Sequence, residues 1–473
     1  MENQILHGDY DLDTLLLREG LRVSESFDMI ERHLSVSGSE VTFFYVDSFT
    51  KDGDMLKIMQ YLLSLKNLPS AEELERIIPY IEVELTDSFD KIRRAVLSGQ
   101  TAMLAQSFGA QSILLDTRTY PARQTSEPEG DKVMQGARDG FVETLVTNTA
   151  LIRRRIRDPR LTMKHFSLGG SSECDVVVCY MDGIADDDTV EAVKKKISSI
   201  KPKSLTLGTQ SLSECLVRTG WFNPFPKVRT TERPDTASAQ LLEGSVLVLC
   251  DTSPQAMIFP TSIFDYLEET DDFYFPPLTG TYLRFVRTAI LLLSVVITPL
   301  WYLSLEYSSI LPPALSFLVP DEPGTLPIIL QLFLVELAID GLKIASTNTP
   351  DILSNSLSVV GALLLGDFAV GVGWLCEDVI LYMAFVAIAN FAQQNHELGY
   401  AFKFMRMLIL ALVWIFKAWG LALGIAIFCL AVATNKTALG KRHYLYPLIP
   451  FNKRDMSRLL IRHKKFDIEE GGE

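Results

Sequence analysis

The sequence predicts a cytosolic α/β N-terminal region, made of two small related α/β subdomains, followed by an α-helical polytopic membrane domain. Three observations carry this. Hydrophobic residues make up 48% of the 473 residues, but unevenly: 1–283 has the charge density of a globular region, whereas 284–434 is dominated by apolar runs. Within the first region, helix and strand patterns alternate twice. Residues 326–342 (LPIILQLFLVELAIDGL) would form a helix roughly 25 Å long, nearly a bilayer core, yet they carry Glu336 and Asp340. The expected segments are a first subdomain (1–118), a connector with a long basic-ended helix (119–160), a second subdomain (161–283), a transmembrane domain (284–434) and a basic cytosolic tail (435–473).

Residues 1–35 read as a polar helical lead-in. Val41–Val46 (VTFFYV) is β-branched and aromatic, a strand. Helices follow around Met55–Leu65 and from Ser70, where Glu73 completes a capping-box pattern. Tyr80–Leu85 alternates like a strand, Asp90–Leu97 is helical up to Gly99, and Thr101–Phe108 pairs with Ser112–Thr117 as a hairpin. Pro121 and Pro128 make 118–130 an extended connector. A helix over Ala137–Arg157 is expected, its end bearing Arg153, Arg154, Arg155 and Arg157; these suit the helix dipole and could meet anionic headgroups, an acidic neighbour or solvent. The second unit has strands at Asp175–Tyr180 and Ser204–Leu207, a helix at Asp187–Ser199, and a rigid loop at Trp221–Pro226. A helix over Pro234–Leu242, stopped by Gly244, then precedes a hairpin of Val246–Leu249 with Ala256–Phe259. Leu97, Gly99, Leu104 and Ile113 match Leu242, Gly244, Leu249 and Ile258 at one constant offset, which points to an internal duplication.

Five apolar runs follow: 288–305, 326–342, 352–375, 379–391 and 407–433. The loop 306–325 has three acids and no Lys or Arg, so it belongs outside. Five crossings would export the basic tail, against the positive-inside rule, so the short run 379–391 is expected to be re-entrant or interfacial. Ala362, Gly366, Ala369 and Gly373 form a small-residue face suited to close helix packing. Spacings of four and three put Glu336, Asp340 and Lys343 on one helix face. A carboxylate at mid-bilayer costs about 3 kcal/mol, so that face must avoid lipid. Two readings remain open: an internal ion pair with Lys343 or Lys417, or an ion pathway lined by Glu336, Asp340 and Asp367. One chain with a few spans rarely encloses a pore, so the second reading demands an oligomer.

Other chemistry is not in evidence. There is no GxxxxGK[ST], GxGxxG or GxSxG motif, and the six histidines are dispersed, so neither an enzyme, a cofactor nor a metal site is expected. A net charge of −14, with the acidity mostly in the first half, argues against nucleic acid as the main partner. Six scattered cysteines without a CxxC pair fit a reducing compartment. The start, MENQILHGDYDLDTLL, shows no signal-peptide pattern, which places the N-terminal region in the cytosol.

From residue 112 onward the chain resembles the GerA family of spore germination proteins. The matching stretches are LDTRTYPAR (115–123), RDGFVETLVTNTALIRRRIRDPRL (138–161), NPFPKVRTTERPD (223–235), LLEGSVLVLCDTSP (241–254), GTYLRFVR (280–287), the spans 326–391 and YLYPLIPFN (444–452). The resemblance implies an inner spore membrane protein with a two-part cytosolic domain. It implies a homo-oligomeric ion channel, pentameric, that releases ions during germination; the acids of the apolar block add the expectation that these are mainly cations. More narrowly, it implies a role accessory to the nutrient receptors, beside receptor subunits and a small membrane partner. It supplies no catalytic residues. Two stretches depart from the family pattern. Asp131-Lys132 and Gln135 stand where it usually has Glu-Arg and then Arg. Gln393-Gln394-Asn395-His396 replaces a Thr-Pro-Ser turn.

Overall fold

The computed structural model describes residues 5–118, 131–170, 173–217, 223–347, 369–393, 395–440 and 444–462. The chain forms two compact units: Met1–Arg218 with Val228–Thr261, and Thr219–Lys227 with Ser262–Glu473.

The first half of unit one runs α1 (Tyr10–Leu21), β1 (Met29–Val36), β2 (Ser39–Val46), α2 (Asp52–Ser64), α3 (Ala71–Ile77), β3 (Val83–Thr86), α4 (Phe89–Leu97), β4 (Thr101–Ala105) and β5 (Ser112–Leu115). After α5 (Leu145–Arg155) come β6 (Leu161–Leu168), β7 (Cys174–Met181), α6 (Asp187–Ser199), α7 (Thr209–Leu216), β8 (Arg229–Thr231), α8 (Pro234–Leu242), β9 (Val246–Cys250) and β10 (Ala256–Phe259). Each half holds a five-stranded antiparallel sheet. The orders are β1-β2-β4-β5-β3 and β6-β7-β9-β10-β8, one topology used twice.

The duplication extends to helix caps. Gly99 and Gly244 follow α4 and α8 with φ of 97° and 95°. In the first, Gln100 N donates to Ala95 O and Gly99 N to Val96 O; in the second, Ser245 N donates to Gln240 O and Gly244 N to Leu241 O. Both are Schellman caps, which need a left-handed residue where glycine carries no Cβ penalty.

β4, β5, β9 and β10 are buried at every position, and β7 at all but one. Burial pushes the Cys179 and Cys250 thiols well above their ordinary range, so they stay neutral and serve as core filling. Several expectations change. The lead-in is helical only over α1, because β1 follows. β1 and β6 are edge strands with a half-exposed face, and their polar positions (MIERHLSV, LTMKHFSL) mask the strand pattern. Ser204–Leu207 is not a strand.

The helix expected over 137–157 forms only as α5. Asn148 explains where it starts: its side chain accepts from Val142 N (2.8 Å) and donates to Val142 O (2.6 Å), holding the preceding turn off the helix. Phe141 N meanwhile donates to Glu232 O. Of the readings open for the basic end of α5, Arg153 takes the acidic neighbour: it is 1% exposed rather than solvated. It donates to Asp28 Oδ2 (2.9 Å), Leu161 O (3.0 Å) and Asp158 O (3.2 Å). Ser26 Oγ accepts from Met163 N, and Phe27 N donates to Met163 O. Residues 26–28 of the first half are thereby joined to 161–163 of the second.

Unit two consists of α9 (Asp271–Tyr274), α10 (Pro277–Glu306), α11 (Ile328–Thr347), α12 (Glu377–Phe391), α13 (His396–Phe416), α14 (Ala418–Thr434) and α15 (Lys453–Leu460). Its core gathers Leu291 and Val295 of α10, Leu332 and Val335 of α11, Val379 and Val386 of α12, and Ile409 and Val413 of α13. The run expected to be one helix over 407–433 is two. Lys417 takes φ 51° and ends α13, and its ammonium pairs with Glu306 at the end of α10 (3.1 Å). α14 then folds back along α13. A Cβ on Gly420 would lie 2.0 Å from Leu412 O, and one on Gly424 would lie 2.9 Å from the Ile409 side chain. This GxxxG spacing lets two backbones touch. Gly420→Leu should therefore prevent the hairpin from closing. We expect little or no G420L protein in the membrane fraction by immunoblot, against near-normal amounts of a Leu423→Ala control at an exposed position.

Among the described residues, α10 and α13 are long and apolar enough to cross a membrane, by length and composition, and α14 is apolar but shorter. Large apolar side chains such as Leu292, Leu337, Leu381, Trp414 and Trp419 lie exposed on five helices of this unit, a surface water would not favour.

Candidate functional site

An ionic cluster within the apolar unit lies where α10, α11 and α13 meet. On α11, Glu336 and Asp340 are one helical turn apart. On α13, Lys403 and Arg406 are three residues apart, so both pairs present a single face. Arg406 Nη2 donates to both oxygens of Glu336, at 2.7 Å each. Its Nη1 reaches Ser294 O on α10 at 3.4 Å. Lys403 Nζ lies 3.1 Å from Glu336 Oε1 and is hydrogen-bonded to Asp340 Oδ2. Two acids thus meet two bases and the cluster is formally neutral. Charge-assisted bonds of this kind make burial of the ions tolerable.

The cluster is graded in exposure. Glu336, Lys403 and Arg406 are buried, whereas the Asp340 side chain is 31% exposed. Asp340 borders a cavity of about 30 Å³ lined also by Lys343, Asn390, His396, Tyr400 and Lys403, enough for about one water. Asn390 Oδ1 is buried and has no partner among the described residues. Lys343, expected as the ion-pair partner, instead lies 4.9 Å from the Tyr400 ring centre, a cation–π contact. Lys417 pairs with Glu306, as above. Glu336 is therefore sheltered by an ion pair, but by Arg406 and Lys403 rather than by either expected lysine.

Asp367, Ala362 and Gly366 lie outside the described residues. Ala369 lies in the short helical stretch Ala369–Gly371 and Gly373 in the turn that follows. Gly373 has φ 77° and open space where a Cβ would point, and its carbonyl accepts from Thr325 N (2.8 Å). Close helix contact is found at Gly420 and Gly424, whose GxxxG spacing was the available signal. Gln331 ties the same region together, accepting from Cys376 N (2.9 Å) and donating to Pro323 O and Leu326 O.

A second ionic cluster stands at the start of α10. Asp272, fully buried, faces Arg284 (3.4 Å) and Arg287 (3.1 Å), which also pair with Glu268 and Glu269. Arg284 Nη1 donates to Arg458 O and Leu459 O at the end of α15. Arg462 N donates to Thr281 Oγ1. The basic tail thus packs at the end of the unit where α10 begins.

The loop Asn223–Lys227 also belongs to this unit. Phe225 meets Phe402 and Phe428 edge-on, with ring centres 6.0 and 5.8 Å apart. Asn223 Nδ2 donates to Ala431 O, and Tyr444 OH to Pro226 O. The two departures from the family pattern have roles as well. The Asp131 side chain accepts from Thr231 Oγ1 and Glu232 N, and Asn395 caps α13 by accepting from Leu398 N. Among the described residues, no group of three or more His, Cys, Asp or Glu side chains could hold a metal ion.

Comparison with known proteins agrees with the resemblance. The model of the Bacillus/Clostridium GerA spore germination protein family matches residues 17–470. Stage V sporulation protein AF of Bacillus subtilis strain 168 is 36% identical over 93% of this chain and 90% of its own. Spore germination protein A1 of the same strain is 24% identical over 88% and 86%. A crystal structure of the N-terminal domain of the A subunit of the Bacillus megaterium spore germinant receptor GerK3 covers 55% of this chain and 98% of its own. The identity there is 23% and the TM-score 0.42. With the family model spanning nearly its whole length, the chain belongs to the GerA family of spore germination proteins.

Proposed function

We propose that this protein is a subunit of an oligomeric channel in the inner spore membrane. It would pass mainly cations during germination, as an accessory to the nutrient receptors and beside a small membrane partner. The observation that carries this reading is Asp340: a partly exposed carboxylate next to a water-sized cavity, inside a bundle whose outer surface is apolar. Repeated around a symmetric ring, pentameric by family resemblance, such carboxylates favour cations. Asp367 remains a second candidate lining residue, and Glu336 a member of the path only when its pairing with Arg406 opens. The tail packed at the start of α10 supports a cytosolic N-terminal region, since basic segments stay inside.

A non-conducting scaffold or sensor that docks receptor subunits is the second reading. It is favoured by the mutual satisfaction of Glu336, Arg406 and Lys403, which leaves no charge demanding an ion. Planar-bilayer recordings of the purified full-length protein separate the two. The channel reading expects cation-selective current, with Asp340→Asn lowering the cation-to-anion permeability ratio. Absence of current from every oligomer that forms sinks it in favour of the scaffold. Unchanged selectivity in D340N removes Asp340 from the path.

A further inference from the structure

We propose that the collar formed by α15, the preceding loop 446–451 and the first turns of α10 lies in the lipid headgroup layer and holds anionic lipid. The inference rests on reading α10 as a membrane span. Thirty residues of α10 reach about 45 Å, whereas the hydrocarbon core is about 30 Å thick. The surplus is at the beginning, because the apolar run starts only at Thr288 and Arg284 and Arg287 precede it. Residues 277–287 therefore belong beside the headgroups.

At that level the outward face is greasy rather than polar. Leu278, Tyr282 and Phe285 are 64–83% exposed, and their spacing of four and three puts them on one helix face. α15 is fastened next to them by the carbonyl bonds from Arg284 and by Arg462, whose Nη2 donates to Phe273 O (2.6 Å). Gly280 lets α9 approach α10, since a Cβ there would lie 2.2 Å from Asp272 O, and it leaves room for the Arg462 side chain, whose Cδ would be 3.1 Å away. Phe451 and Leu460 are exposed on this fastened segment, as are Lys453 and Arg454. Aromatic side chains interleaved with bases, continuous with a span, match an interface of apolar acyl chain ends and negative headgroups.

The test labels the full-length protein with an NBD fluorophore at one engineered thiol, Phe451→Cys, Leu293→Cys or Leu207→Cys. Each carries Cys215→Ser and Cys429→Ala to remove the exposed native thiols. In phosphatidylcholine vesicles, the label at 451 should lose most of its emission to a lipid bearing a nitroxide near its headgroup, and little to aqueous iodide. Position 207, exposed in the α/β unit, should do the reverse, and 293 should be quenched by a nitroxide deep in the acyl chain. Adding phosphatidylglycerol should increase headgroup quenching at 451, and Lys453→Gln with Arg454→Gln should abolish that increment. Iodide access at 451 equal to that at 207 overturns the proposal. Protection from both quenchers also overturns it, because a protein would then cover the collar. Indifference to phosphatidylglycerol overturns the anionic preference. Lipid quenching at 293 without it at 451 condemns the collar alone, whereas its absence at both removes the membrane reading itself.

Discussion

Glu336→Ala should destabilise the helical unit by about 3–5 kcal/mol, the cost of breaking a buried ion pair from one side. Among the described residues, the variant leaves the Arg406 guanidinium, 1% exposed, with only the Ser294 carbonyl at 3.4 Å. Lys403 keeps Asp340, so the loss concentrates on Arg406. Replacing both charges, Glu336→Leu with Arg406→Met, should recover most of the stability, because a well-packed apolar pair of similar volume rivals a buried salt bridge. Thermal unfolding of the purified full-length protein in detergent reads both, and the double-mutant cycle gives the coupling. An E336A protein within about 1 kcal/mol of wild type would mean that the pair is weak and that the chain tolerates its opening. That outcome would return Glu336 to the ion path.

Arg153→Met should be nearly as damaging in the α/β unit. Asp28, 1% exposed, would lose its guanidinium, and the carbonyls of Asp158 and Leu161 would each lose one donor. Such one-sided removals cost about 3–5 kcal/mol. The damage should be located at the join between the two sheets, since the same arginine holds 26–28 against 158–161. Limited proteolysis of the full-length protein should show new cleavage near Asp158–Arg160, where wild type resists. Arg153→Lys should rescue little, because one ammonium cannot reproduce a planar fork meeting three acceptor groups. Equal protease resistance in R153M and wild type would refute the joining role.

The sequence disclosed the parts of this molecule whose signals are local. Central strands such as VLVLC are apolar on both faces and announce themselves. The paired caps at Gly99 and Gly244 follow from glycine's freedom in the left-handed region, and so the duplication was legible. Edge strands β1 and β6 were not, because half their side chains meet water. The need to shelter Glu336 followed from electrostatics alone. Its partner did not, since Arg406 lies 70 residues away, and only the fold decides that α13 and not the end of α11 supplies the base. Lys417 was read as a charge within a span, but a polar residue between two apolar stretches is equally the signature of a tight turn.

The loop that carries Phe225 has a bearing on how the molecule can be dissected. The backbone leaves the sheet-bearing part after Arg218, lodges Asn223–Lys227 among the helices, returns at Val228, and departs again after Thr261. Three covalent strands therefore stitch the halves, like a thread passed back through a seam. A truncated piece ending at 261 would keep Phe225 but forfeit the ring neighbours it rests on, leaving an oily plug dangling in buffer. Expression trials should excise that plug, or carry the full length.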